Sequence, residues 1–283
     1  MGWATWKILH GFFLFLAIGL QAATVRFDPC AAELAHSAIT TDLYNGWAHW
    51  GHPYGENGNH HALFLAEVHN DRTGRNRVAF FKPRFLGDED GWARSPMEYV
   101  AYVLNRKLAM DYIPPMAYRR GFGFNGQWFA EGAIIYRVPD TRRLLEVQES
   151  EWGLSKRAVL SDNRILNVLL QNPDGHFKNL LFGRHWVDGV FRPIFVDFGA
   201  SFRHGTHVTM THYPAFRNSE PVYWVREQTL ERLRRLTWQD LRELSEFLSH
   251  DERREIFARR DGIVSFFDRL IAERGRNQVI LQE

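Results

Sequence analysis

The chain has 283 residues, 45% of them apolar and 14% aromatic, enough for one large domain or two packed lobes. Its 35 Lys and Arg nearly balance 33 Asp and Glu, and no long basic block appears. Neither a nucleic-acid groove nor a polybasic membrane patch is indicated. The single cysteine, Cys30, excludes an internal disulfide.

The first element is a leader. A lone Lys7 precedes an apolar run from Ile8 to Leu20, and Ala22-Ala23 supplies small residues for cleavage. The run is shorter than the roughly 20 residues that span a bilayer core. Residues 1–23 are therefore read as an export signal; a buried core helix and a signal-anchor are the alternatives. Cleavage would leave no stable membrane span and an exported product, periplasmic or secreted, or lumenal in a secretory pathway.

Next comes "GHPYGENGNHH", read as loop because Gly, Pro and Asn dominate it. "HALFLAEVH" and "RVAFFKPRF" are strand-like runs around the turn-forming "NDRTGRN". A helix follows in "SPMEYVAYVLNRKLAMDYIPP", where Ser95 can cap and Val100, Val103, Leu104 and Leu108 form one apolar stripe. Pro114-Pro115 stops it. A hairpin around Asn125-Gly126 leads into a buried strand from Ala133 to Val138.

Beyond Pro139 the pattern turns helical. "SDNRILNVLLQN" opens with cap-type residues and carries Ile165, Val168 and Leu169 on one side. Two strands, "NLLFGRHW" and "VFRPIFVDF", are joined through Val187-Asp188-Gly189, and the remainder after Pro214 is helical. The fold class is α+β: a small β-rich lobe with one helix (24–139), then a larger helical lobe (140–283). Ligands favour such an interface.

Chemistry concentrates in "LLQNPDGHFKNLLFG" and "FRPIFVDFGASFR". Asp174, Asn179 and Asp197 form a set that a fold alone does not need. Transfer of a phosphoryl group requires a base near the acceptor hydroxyl, oxygen ligands for metal, and a cation on the phosphates. Asp174, in a loop between helix and strand, is the base candidate. Asn179 and Asp197 offer hard oxygen donors, and the hairpin from Leu180 to Val196 folds them together. Gly199 is expected to permit a sharp turn beside the ligand. Each residue alone is weak, since Asn-Pro-Asp-Gly is an ordinary turn and Asp-Phe-Gly occurs by chance; the combination is specific.

Lys82 ends an apolar strand and is the phosphate candidate. Glu98 is its expected partner, against a competing capping box with Ser95. The pairing is favoured because the helix follows the lysine strand. Lys178 either touches phosphate or is solvated, and His176 is expected to buttress the loop. His49, His52, His60 and His61 are too irregularly spaced for a metal site.

These residues resemble the secretory-pathway kinases, the family of the Golgi casein kinase, the glycosaminoglycan xylosylkinase and four-jointed. Phe81-Lys82-Pro83 is similar to that family's strand. Glu98, Ala101, Leu104, Leu108, Pro114 and Pro115 follow its helix pattern, and Asp197 to Gly199 its metal motif. Asn172 to Asn179 resembles the catalytic loop of the toxin kinase HipA more closely still. The resemblance implies an atypical bilobal protein-kinase-like fold using ATP and Mg2+ or Mn2+. It implies Asp174 as base, Asn179 and Asp197 on metal, Lys82 on phosphate and Glu98 supporting it. The implied acceptor is a protein Ser/Thr or a sugar hydroxyl. A pseudokinase that only binds or activates, and a nucleotidyl transferase kept open by extra basic residues such as Arg84, are the alternatives.

Overall fold

A computed structural model describes residues 29–54, 63–84, 94–152, 155–203, 207–213 and 221–282. The leader, His60 and His61 lie outside them. Among the described residues no helix is long and apolar enough to cross a membrane.

The N-terminal part is a five-stranded antiparallel sheet. Its strands are β1 (Trp47–Pro53), β2 (Phe64–Asn70), β3 (Arg75–Pro83), β4 (Met116–Phe124) and β5 (Gln127–Tyr136), in the order β1-β2-β3-β5-β4. The β4–β5 hairpin turns at Asn125 and Gly126, with φ of 51° and 76°. Both residues tolerate the left-handed conformation that such a turn demands.

Within this sheet and its cover two features depart from the sequence reading. Residues 51–53, expected as loop, belong to β1. Gly51 is needed there, because a Cβ would lie 2.5 Å from the Phe124 ring. A helix that was not expected, α1 (Pro29–Asn45), packs on the sheet and buries Ile39 and Leu43 against Phe64, Val68, Phe81 and Ile134.

Helix α2 (Ser95–Lys107) lies between β3 and β4 in sequence. Its stripe is buried as expected, yet Val100, Val103, Leu104 and Leu108 join the core of the C-terminal part rather than that of the sheet. They share it with Val159, Ile165, Leu166 and Leu169 of α3 (Lys156–Leu170). Helix α3 starts one and a half turns before the cap-type residues 161–163. Ser161 and Asp162 are instead buried inside it: Ser161 Oγ donates to the Trp224 carbonyl, and Asp162 pairs with Arg226 at 2.5 Å.

A three-stranded sheet follows, built from β6 (Arg142–Arg143), β7 (Leu180–Arg184) and β8 (Phe191–Phe195), in that order. After the two-residue β9 (Val225–Arg226) come α4 (Glu227–Arg235), a 3-10 turn at Gln239–Leu244, and α5 (His250–Arg274). The chain ends in α6 (Arg276–Val279) and β10 (Ile280–Leu281), which pairs in parallel with β9.

Candidate active site

Strand alternation sets the site. Phe81 points into the sheet core, so Lys82 points to the opposite face. There its Nζ lies 2.6 Å from Glu98 Oε1 and 2.9 Å from Asp197 Oδ1. Lys82 and Glu98 are buried, whereas the Asp197 side chain is 41% exposed. Burial alone would lower the lysine pKa; the two carboxylates reverse this and hold it above its ordinary value. The lysine stays charged, which a phosphate partner needs.

Glu98 is committed twice. Its second oxygen accepts the Phe198 N–H at 3.1 Å. The capping-box alternative is not what forms: Ser95 is the first helical residue, Arg94 occupies the cap position, and no side chain caps the helix. Glu98 therefore ties β3, α2 and the backbone after Asp197 to one carboxylate.

Asp197 leaves the β7–β8 hairpin where the ladder ends. The Val196 N–H donates to the Asn179 carbonyl at 3.1 Å, so the two candidate ligands emerge side by side. The sharp turn falls on Asp197 itself, with φ of 65°, not on Gly199. A non-glycine residue in this region is strained by on the order of 1–3 kcal/mol and persists only when its surroundings hold it. Here Phe198 is buried, Ser201 N–H and Oγ both donate to the Phe198 carbonyl, and the Arg94 N–H donates to Gly199.

Asp174 sits opposite. Helix α3 ends with Gln171 in a left-handed conformation, and the loop is then fixed by side chains. Asn172 donates to Asn167 Oδ1 at 2.8 Å and its own oxygen accepts the Asp174 N–H at 3.2 Å. The Tyr213 hydroxyl donates to the Asn172 carbonyl at 2.8 Å. A Cβ on Gly175 would come within 2.3 Å of that hydroxyl and 2.4 Å of Asn167, so only glycine fits. Asn167 and Tyr213 were not legible in sequence, because each is a lone polar residue acting through the loop.

Asn179 Nδ2 donates to the Asp174 carbonyl at 2.7 Å and to its carboxylate at 3.3 Å. The amide is thereby oriented with Oδ1 as the end available to a cation. His176 braces the loop mainly through its backbone, which bonds to Asp174 and Asn179, while its ring Nε2 lies 3.4 Å from Asp174 Oδ1. Burial pushes the Asp174 carboxyl above its ordinary value; His176 opposes this and Asp197 adds to it. Lys178 is exposed, on the same short 3-10 turn (Phe177–Asn179) as Asn179. Arg84 pairs with Glu131 at 2.8 Å.

Among the described residues, no cluster of three or more His, Cys, Asp or Glu could hold a metal unaided. His49 and His52 lie on β1 and form no such cluster. A metal that arrives with phosphates needs only one or two protein oxygens, and the Asp197 carboxylate with the Asn179 amide fits that requirement.

The chain matches no protein-family model and no curated protein. The fold is kinase-like: an antiparallel sheet in the N-terminal part, and a helical C-terminal part. Its solved neighbours include hydra Fam20, determined with sugar. That likeness has a TM-score of 0.63 at 14% identity and covers 91% of this chain and 99% of that one. It speaks to the fold alone. A second neighbour, the Neurospora crassa PAN3 pseudokinase, overlaps at a TM-score of 0.28 and 10% identity over 82% of this chain and 66% of that one, and carries no argument.

Proposed function

We propose that the protein is an ATP-dependent phosphotransferase, an atypical kinase acting on a protein Ser/Thr or a sugar hydroxyl. The observation that carries this reading is the junction at Lys82. One buried ammonium meets carboxylates from two other segments, Glu98 and Asp197, beside the Asp174–Asn179 loop. When bound, ATP with Mg2+ or Mn2+ would supply the phosphoryl group and the divalent charge.

The chain's own residues would do the rest. Lys82, held by Glu98, neutralises phosphate charge, and exposed Lys178 adds to it. Asp197 and Asn179 present oxygens to the metal. Asp174 accepts the proton of the acceptor hydroxyl, and a carboxyl raised toward the working pH suits a general base. The division at residue 139 and an export leader over residues 1–23 belong to the same reading. The protein would then work outside the cytoplasm, and N-terminal sequencing of the secreted product tests that part.

Purified protein incubated with γ-labelled or α-labelled ATP, Mg2+ or Mn2+, and peptide and glycan acceptors is the main test. Transfer of the γ label supports the kinase. Transfer of the α label would mean nucleotidyl transfer, and transfer of neither would leave a pseudokinase that binds or activates.

A further inference from the structure

Phosphotransfer of this kind needs the lysine–glutamate pair to be in place, and helix position decides whether it is. In this chain the helix carrying Glu98 is gripped along its length by residues more than 130 positions further on. At its start, Arg94 Nη1 lies 2.8 Å from Glu252 Oε1. Glu252 is itself fixed by a reciprocal capping box with Ser249 at the head of α5. At its middle, the Phe247 ring wedges between Tyr99 of α2 and Tyr118 of β4. The ring centroids are 5.3 and 4.8 Å apart, and both contacts are edge-to-face at 66°. At its end, Lys107 Nζ lies 3.6 Å from Glu243 and 3.9 Å from Asp240. Arg120 of β4 pairs with Glu246 at 3.0 Å.

We propose that residues 238–252 form a clamp that keeps α2 in the position where Glu98 meets Lys82, with Phe247 as the positioning residue. The exposed ion pairs at the rim contribute little each. The ring wedge has the packing and geometry to fix the helix. The apolar stripe of α2 belongs to the C-terminal core, and the same segment also reaches Tyr118 and Arg120 of β4, so the clamp holds the helix against both parts. The catalytic consequence rests on the phosphotransfer reading; the clamp itself does not.

The experiment compares wild type, Phe247→Ala and Phe247→Tyr by hydrogen exchange and by steady-state ATP turnover. In the alanine variant, amides of α2 should exchange about tenfold faster, while those of β2, β3 and the middle of α5 keep wild-type protection. Its kcat should fall at least about tenfold, as misplacement of aligned groups does, with ATP affinity near wild type. The tyrosine variant should restore both. Unchanged protection of α2 in Phe247→Ala overturns the clamp, and so does a loss of protection spread evenly over the molecule. If the alanine variant does not fold, Phe247→Leu, which keeps an apolar side chain and removes the ring contacts, decides by the same comparison. A wild-type protein that transfers no phosphate sinks the phosphotransfer reading, and the exchange data still decide the clamp.

Discussion

At the scale of single residues, the proposed phosphotransfer gives the two aspartates separable duties. Asp197→Asn removes the charge that would face a divalent ion, so metal-dependent ATP binding should fall in a calorimetric titration. Asp174→Asn should leave that binding nearly intact and cut turnover by about 10²–10⁴-fold. The opposite pattern would reverse the assignment. A second prediction concerns Lys82 and Glu98, whose side chains are 8% and 3% exposed. Lys82→Met strands a buried carboxylate and should cost about 3–5 kcal/mol in urea unfolding. Adding Glu98→Gln should recover part of that loss, a non-additivity expected of contacting charges. These residues were legible in the sequence because chemistry restricts their types. Their supports were not. Asn167 and Tyr213 show their role only once Gly175 packs between them, and the strain expected near Gly199 falls on Asp197.

At the scale of elements, helix ends decided what could be read. The stripe of α2 was visible as spacing and its start to within one residue, but the Ser95–Glu98 pattern is spent on Lys82 and not on a cap. In α3, cap-type residues 161–163 sit inside the helix because tertiary partners satisfy Ser161 and Asp162. Strand β1 was masked by Gly51 and Pro53, which a local reading assigns to loop. Helix α1 has no sustained apolar stripe in its sequence, and its place is set by the sheet it covers. The cap of α5 is formed in full: the Ser249 hydroxyl accepts the Glu252 N–H at 3.1 Å while Glu252 accepts the Ser249 N–H at 2.8 Å. Ser249→Ala should therefore cost about 0.5–2 kcal/mol. Differential scanning calorimetry should show a Tm lower by about 2–4 °C per kcal/mol lost.

At the scale of the molecule, α1 is tied to the rest through a buried cluster. His36 Nε2 lies 2.6 Å from Asp111 Oδ1, and His185 Nε2 lies 3.2 Å from the other oxygen. Tyr102, Arg106 and Trp186 also face His36. Burial lowers the His36 pKa, and Asp111 only partly opposes this. For Asp111 burial acts upward, but the His185 and His36 rings hold the carboxyl well below the usual range. The unfolded chain thus takes up a proton at His36 below about pH 6.5 that the folded chain refuses. Stability should fall as pH drops through that value, and fall again in stronger acid as Asp111 is protonated. His36→Phe should flatten the Tm profile between about pH 7 and 5 relative to wild type; an unchanged slope would exclude the cluster. The grip of residues 238–252 on α2 also has a consequence for synthesis. Lys82 and Glu98 leave the ribosome early, yet Asp197 and the Phe247 wedge follow only later. At about 5–20 residues per second, roughly 8–30 s separate residue 98 from residue 252. Through that interval the growing chain has Lys82 and Glu98 without the Phe247 wedge, so the helix that carries Glu98 is held in full only once residue 252 has been made.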